Sequence, residues 1–375
     1  MIEMEKTWVN ISDVLFFQEG PGVRNTQYTT EGVKLLNVAN LVDGKVDLST
    51  SDRYISEDEA YGKYSHFLCD VGDFVVASSG IKVEYIDKKM GFIEETMLPL
   101  CMNTSTIRFK VLDEKQLRIR YFMYYLKSQH FKGQLAREIT GSAQLNYGPS
   151  HLKKMVMPLV AISTQDEIVQ KMDKVQKIID MRQMELSALD NLIKARFVEM
   201  FGDPLTNPKG YPVKVLPEIA EYWNGLTYKP EDVSDEGTIV LRSSNIQNAT
   251  LDFADTVRVS CKIGDKKYVQ DNDILMCSRN GSARLVGKVA LIKDIEEPMS
   301  FGAFMMIIRS DYYPYLMTYF QMPAFRAQIT TGATTTINQI TGRMLDIVKL
   351  PVPDMDVIYE FADFVHQVDK SKVVA

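Results

Sequence analysis

The clearest periodic signal in the chain is a long helix near its middle. Apolar residues recur at Ile168, Met172, Val175, Ile179, Leu186, Leu189, Ile193 and Met200. That is a 4-3-4 spacing, interrupted at two seam positions by Arg182 and Arg196. Thr164-Gln165-Asp166-Glu167 supplies a capping box, which predicts Thr164 at the N-cap with Glu167 three residues on. Gly202-Asp203-Pro204 predicts the end. With a rise of about 1.5 Å per residue, Thr164–Phe201 spans on the order of 55 Å. A seam of that length calls for a partner helix.

Short β-rich runs separated by Gly, Asp and Asn turns lie on either side. Before the helix, strands are predicted at Val33–Val38, Phe74–Ser78 and Thr106–Val111, then a helix over Tyr121–Thr140. After it come strands at Ile239–Ser243, Ile274–Ser278 and Phe304–Ile308, then a helix over Tyr315–Ile329. The order repeats because the chain is written twice. Gly32-Val33-Lys34-Leu35-Leu36-Asn37-Val38-Ala39-Asn40-Leu41 is echoed by Gly237-Thr238-Ile239-Val240-Leu241-Arg242-Ser243-Ser244-Asn245-Ile246, an offset of 237 − 32 = 205. Gly72-Asp73-Phe74-Val75-Val76-Ala77-Ser78 is echoed by Asn272-Asp273-Ile274-Leu275-Met276-Cys277-Ser278, an offset of 273 − 73 = 200.

The helix has an echo too. Pro351-Val352-Pro353 parallels Pro158-Leu159-Val160, and Phe361, Val365 and Val368 fall on the pattern of Ile168, Met172 and Val175, before the chain stops at Ala375. This second helix is expected to cover only part of the first one's seam, leaving Leu186, Leu189 and Ile193 bare as an interface. The predicted architecture is α+β. Similar β-rich domains at 1–160 and 204–352 are separated by a coiled-coil-like spacer helix at 161–203, and a shortened distal helix follows at 353–375.

Composition narrows the class. With 45% hydrophobic and 25% charged residues the chain is an ordinary globular one rather than a disordered one. A net charge of −6 counts against indiscriminate nucleic-acid binding but leaves room for a local basic face. One candidate runs through Lys115, Arg118, Arg120, Lys127, Lys132, Arg137, Lys153 and Lys154. The four cysteines have no CxxC spacing, and Cys69 and Cys277, in or beside apolar runs, read as buried thiols. No leader pattern and no stretch of about 18 apolar residues is present, which predicts a cytoplasmic protein with no membrane segment.

The pattern resembles the specificity (S) subunits of type I restriction-modification systems. The resemblance rests on the order domain–helix–domain–helix and on the Gly-Asp-apolar strand ending in Ser. It also rests on the loops Thr140-Gly141-Ser142-Ala143-Gln144-Leu145-Asn146 and Thr331-Gly332-Ala333-Thr334-Thr335-Thr336-Ile337-Asn338. The most distinctive string is the helix exit Arg196-Phe197-Val198-Glu199-Met200-Phe201-Gly202-Asp203-Pro204. The resemblance implies two target recognition domains, each reading one half of a split sequence in double-stranded DNA, held apart by antiparallel helices. It implies docking of methyltransferase (M) subunits, two in that family, and of restriction (R) subunits. S-adenosylmethionine, ATP and Mg are then expected on those partners, with no cofactor here. The short distal helix departs from full-length members of the family.

Base identity is read by side-chain hydrogen bonds, while phosphates are held by Lys, Arg, Ser, Thr and backbone N–H groups. The loops after the Ser-ending strands therefore supply one set of candidates: Ser78, Ser79 and Lys82, and Ser278, Arg279, Asn280, Ser282 and Arg284. Arg279 and Arg284 suit guanine or phosphate, and Asn280 suits adenine. The Thr-Gly loops and their flanks supply a second set: Ser142, Gln144, Asn146 and Tyr147, with Thr334, Thr335, Thr336 and Asn338. Taken singly, each loop also reads as an ordinary solvated turn; matched placement in two domains favours a shared role.

Enzymatic readings find little support. Gly281-Ser282-Ala283-Arg284-Leu285-Val286-Gly287-Lys288-Val289 has one residue too many for a P-loop, and Val where Ser or Thr must ligate Mg. No Asn-Pro-Pro-aromatic tetrapeptide occurs, the histidines lack metal spacing, and neither Ser78 nor Ser278 sits in a Gly-x-Ser-x-Gly elbow. The expectation is a non-catalytic chain. A protein–protein adaptor with two β-rich modules on a helical spacer is the alternative.

Overall fold

The echoed strands build the same sheets in both halves of the chain. The computed structural model describes residues 6–139, 146–330 and 339–374, which fall into two units, Met1–Ile179 and Asp180–Ala375. In the first unit an antiparallel sheet runs in the order Leu15–Glu19, Thr106–Val111, Phe74–Ala77, Met90–Phe92. A second sheet sets Val33–Leu36 between Tyr54–Ile55, antiparallel, and Leu100–Met102, parallel.

The second unit repeats this topology. Its antiparallel sheet has the order Glu221–Asn224, Met305–Arg309, Ile274–Cys277, Val289–Leu291. Thr238–Leu241 lies between Arg258–Val259, antiparallel, and Met299–Phe301, parallel. Each unit is closed by a pairing of its first strand with a late one, Thr7–Asn10 with Val156–Leu159 and Val213–Val215 with Lys349–Pro351.

Residues shared by the two copies hold the backbone. Gly32 (φ 119°) and Gly237 (φ 112°) admit no side chain, since an added Cβ would lie 2.2 Å from the Ile55 carbonyl oxygen and 2.3 Å from that of Val259. Asn40 and Asn245 are fully buried staples. Asn40 Oδ1 accepts the Asn37 N–H and its Nδ2 donates to the Asp47 carbonyl; Asn245 does the same with Arg242 and Asp252. The change from Gly72 to Asn272 is equally local: both have positive φ, 86° and 70°, which Asn tolerates.

Both predicted aromatic-faced helices are broken in two. Ile119–Leu126 is followed by Gln129–Glu138, because the Ser128 hydroxyl accepts the Phe131 N–H at 3.2 Å and starts a new helix. Tyr313–Tyr319 is followed by Pro323–Thr330, which opens at a proline that lacks the donor needed to continue the earlier helix. Cys69, Cys101 and Cys277 are buried. Among the described residues no helix is long and apolar enough to cross a membrane.

The spacer is one helix of 40 residues, Ile162–Phe201. It starts two residues before the predicted cap, so Thr164 lies within its first turn. Gln165, rather than Thr164, fastens this end. It is fully buried, donates to the carbonyls of Gln116 at 2.8 Å and Val160 at 2.9 Å, and accepts the Arg118 N–H at 2.9 Å. Arg118 also pairs with Asp166, Arg120 and the Tyr124 hydroxyl bind Asp173, and Ile168 packs against the core of the first unit.

In the second unit the last turns of this helix enter the core. Phe197 and Phe201 are buried against Tyr315 and Phe361, with ring centroids 5.0 to 5.7 Å apart. Truncating either phenylalanine to alanine would cost about 3–5 kcal/mol. The helix exit string is thus a packing device. The terminal helix, Met355–Val374, lies antiparallel to it: Glu360 pairs with Arg196 at 2.9 Å and Lys372 with Asp190 at 2.7 Å. Phe361 and Val368 are buried and Val365 packs beside them.

This geometry corrects the expected bare stretch. Ile193 is in the core, Leu189 packs on it and Leu186 is half-buried. The exposed seam residues are instead Met172, Val175 and Ile179, at 41, 49 and 55%. An antiparallel partner covers the end of the first helix, not its beginning.

Candidate nucleic-acid interface

In each unit the loop leaving the third strand of the antiparallel sheet is tied to the segment that follows the Thr-Gly loop. The Ser78 carbonyl accepts the Tyr147 N–H at 3.0 Å, and the Ser278 carbonyl accepts the Ile340 N–H at 2.7 Å. One residue along, Ser79 forms an antiparallel bridge with Asn146, and Arg279 forms one with Gln339. Ser78 and Ser79 are therefore neighbours of Tyr147 and Asn146 in the first unit, and Gln339 and Ile340, just past the second Thr-Gly loop, take the same register in the second. Ser142, Gln144, Thr334, Thr335, Thr336 and Asn338 lie outside the described residues. Lys82, Arg279, Arg284 and Asn146 are exposed, while Ser79 and Ser282 are half-buried.

Several predicted contacts turn inward. Ser78 and Ser278 are buried, and their hydroxyls bond Glu19 at 3.4 Å and the Phe304 carbonyl at 2.9 Å. Tyr147 is buried with its hydroxyl unpaired, and burial pushes its ionisation far up. These three are parts of the scaffold. Asn280 has both ends of its amide committed: Nδ2 donates to the Ser243 hydroxyl at 3.1 Å and Oδ1 accepts the Ser282 N–H at 2.9 Å. Bidentate reading of adenine needs both of those atoms free.

Half of the predicted basic stretch is spent as well. Arg118, Arg120, Lys132 and Lys154 pair with Asp166, Asp173, Asp87 and Glu138. A run of like charges in sequence gives a weaker basic face when half of its side chains meet carboxylates.

The second unit holds a groove of about 1070 Å³ beside its loop. Arg279 lies on the rim, its guanidinium 5.3 Å from the centre of the Phe304 ring, and that ring is 59% exposed. Opposite elements contribute Tyr228, Arg242, Ser243 and Asp255. Arg242 donates to Asp255 at 2.8 Å. Cations stacked on or beside an exposed ring, with hydroxyls nearby, suit a polyanion that also presents flat apolar faces.

Arg242, Tyr228 and Phe304 are not recognisable as site residues in the sequence, because they line one groove only in the folded unit. One signal was available: Arg242 stands where the first copy has Asn37, between the matched Leu36/Leu241 and Asn40/Asn245. A polar position that changes character within a conserved-length echo marks a place where the two copies do different work.

Residues 23–191 match the family model described as the type I restriction modification DNA specificity domain. Over part of its length the chain is similar to type I specificity subunits. It is 26% identical over 178 residues to the type I restriction enzyme EcoKI specificity subunit of Escherichia coli strain K12, covering 44% of this chain and 38% of that protein. It is 23% identical over 198 residues to the MjaVIII specificity subunit of Methanocaldococcus jannaschii, covering 51% of this chain and 45% of that one. The chain thus spans less than half the length of these curated relatives in the matched region.

One similar solved structure is described as the structural basis of complex assembly and conformational transition of the type I R-M system. The likeness takes in 100% of this chain and 93% of that one, with a TM-score of 0.50 and 14% identity, and it speaks to the fold. The specificity-domain match takes in Ser79 and Lys82 and stops before the Arg279 groove.

Proposed function

We propose that this chain is the DNA-specificity subunit of a type I restriction-modification complex, each unit reading one half of a bipartite duplex target. Catalysis belongs to partners: methyltransferase subunits, expected to be two, carrying S-adenosylmethionine, and restriction subunits using ATP and Mg. The observation that carries this reading is the doubled loop pairing, Ser79 with Asn146 and Arg279 with Gln339, in units of one topology. The specificity-domain match over the first unit supports it and disfavours a DNA-independent adaptor. The expected place of work is the cytoplasm.

Enrichment of the full chain's targets from a randomised duplex pool at low salt tests the proposal. The expected result is two short motifs separated by a constant number of unspecified base pairs. Enrichment of a single uninterrupted motif, or of none, would overturn it.

A further inference from the structure

We infer that Arg242, held by Asp255, reads a guanine in the half-site taken by the second unit. The inference rests on the DNA-reading role proposed above and adds a residue and a base to it. Arg242 opens the loop after the strand Thr238–Leu241, and its backbone is pinned where its N–H meets Asn245 Oδ1 at 2.8 Å. The side chain lines the groove. Its Nη2 donates to Asp255 Oδ2 at 2.8 Å, while its buried Nε has no hydrogen-bond partner. The ion pair is therefore incomplete: one nitrogen of the fork is fixed, and the guanidinium keeps further N–H donors.

An arginine held this way is a base reader in waiting. Guanine alone presents two acceptors, O6 and N7, side by side on its major-groove edge. Adenine puts an amino donor beside N7, cytosine offers a donor, and thymine sets a methyl group next to its single acceptor. A fork already oriented by a carboxylate loses less rotamer freedom on meeting those two acceptors. Arg279 on the Phe304 ring adds a second cation on the rim of the same groove.

The first unit lacks this device. At the position equivalent to Arg242 it carries Asn37, which is buried, donates to the Leu35 carbonyl at 2.9 Å and accepts from Asn103 at 2.8 Å. At the position equivalent to Arg279 it carries Ser79. The two loop surfaces are built on one plan but differ in charge at matched points, so the guanine requirement made by Arg242 falls in the second half-site only.

The test uses the full chain and the randomised duplex pool with wild type, Arg242→Gln, Arg242→Lys and Asp255→Asn, each checked for folding by thermal unfolding. Wild type is expected to enrich a two-part motif with a fixed G·C pair in one part. Arg242→Gln should enrich the same motif with that one pair randomised and the other part unchanged. Asp255→Asn, which removes the orienting charge, should blur the same pair alone, an effect that a merely structural ion pair would not produce.

A second measurement needs no variant. Each guanine of the enriched part is replaced in turn by 7-deazaguanine, which lacks the N7 acceptor, and one such replacement should weaken wild-type binding about tenfold. A bipartite motif that is unchanged in Arg242→Gln, or binding indifferent to every 7-deazaguanine, would overturn this inference and leave the specificity role standing. Absence of any bipartite motif would overturn the specificity role itself.

Discussion

Arg309 donates to both carboxylate oxygens of Asp273, at 2.7 and 2.8 Å. Asp273 is buried, directly before the strand that leads into the Arg279 loop, and its second role is to accept the Gln270 N–H at 2.7 Å. The first unit keeps the arrangement in looser form, with Arg108 at 3.3 Å and Lys110 at 3.1 Å from Asp73. The Asp of the repeated motif is therefore a clamp on the strand that feeds each loop. Arg309→Ala would strand a buried carboxylate. The expected loss is about 2–3 kcal/mol in urea unfolding, below that of a fully buried pair because the arginine is partly exposed. A midpoint unchanged from wild type would show that the clamp is ornamental.

Arg279→Ala removes the rim cation without touching Ser278 or the hydrogen bond that its carbonyl accepts from the Ile340 N–H. Competition binding against duplexes varied in one half at a time should show weaker discrimination in the second half-site, by about 1–3 kcal/mol if a base contact is lost. The first half-site should be read as before. Equal weakening across both halves would contradict separate reading by the two units.

Seven residues inserted after Ser187 keep the helical phase to within about 20° and lengthen the helix by about 10.5 Å. If the helix sets the gap between half-sites, the enriched motif should gain about 3 unspecified base pairs at about 3.4 Å each. An unchanged gap with undiminished binding would mean that something other than the helix measures it.

Acid should loosen the seat of the helix in the first unit. Burial alone would push the Asp173 carboxyl up, but hydrogen bonds from Tyr124 and Arg120 outweigh it and hold it below the ordinary 3.8. The Arg118 guanidinium lowers Asp166 in the same way. A carboxylate depressed on folding contributes stability above its unfolded value, and that contribution is lost as pH falls through the folded one. Unfolding midpoints should therefore hold steady from neutral to about pH 4 and drop below it. Asp173→Asn should flatten that drop, and an identical pH profile in the variant would remove Asp173 from the account.

Local spacing carried much of the fold. The seam from Ile168 to Ile193 announced the helix, because a 3.6-residue period is written in neighbouring residues whatever they pack against. The echoes around Gly32 and Gly237, and around Asp73 and Asp273, announced two copies of one topology, since positive-φ turns and capped carboxylates admit few residue types. The breaks at Ser128 and Pro323 were legible in principle and overridden by the aromatic pattern on either side. Which side of a loop faces outward was not legible. Ser78 and Lys82 stand four residues apart in one polar loop, yet one is fully buried and the other exposed.

Sequence alone determined that this protein has two like units and a long helix, and that a cation-bearing loop follows a matched strand in the second. Only the tertiary structure decided that Asn280 is locked, that Arg118 and Arg120 serve the helix, and that Arg242 joins Phe304 and Tyr228 around one groove. It also decided that the terminal helix covers Ile193 and leaves Met172 exposed. The reason is range. Periodicity and turn chemistry act over a few neighbours in the chain, whereas burial and ion pairing depend on partners such as Arg242 and Phe304, which stand 62 positions apart until the sheets bring them together.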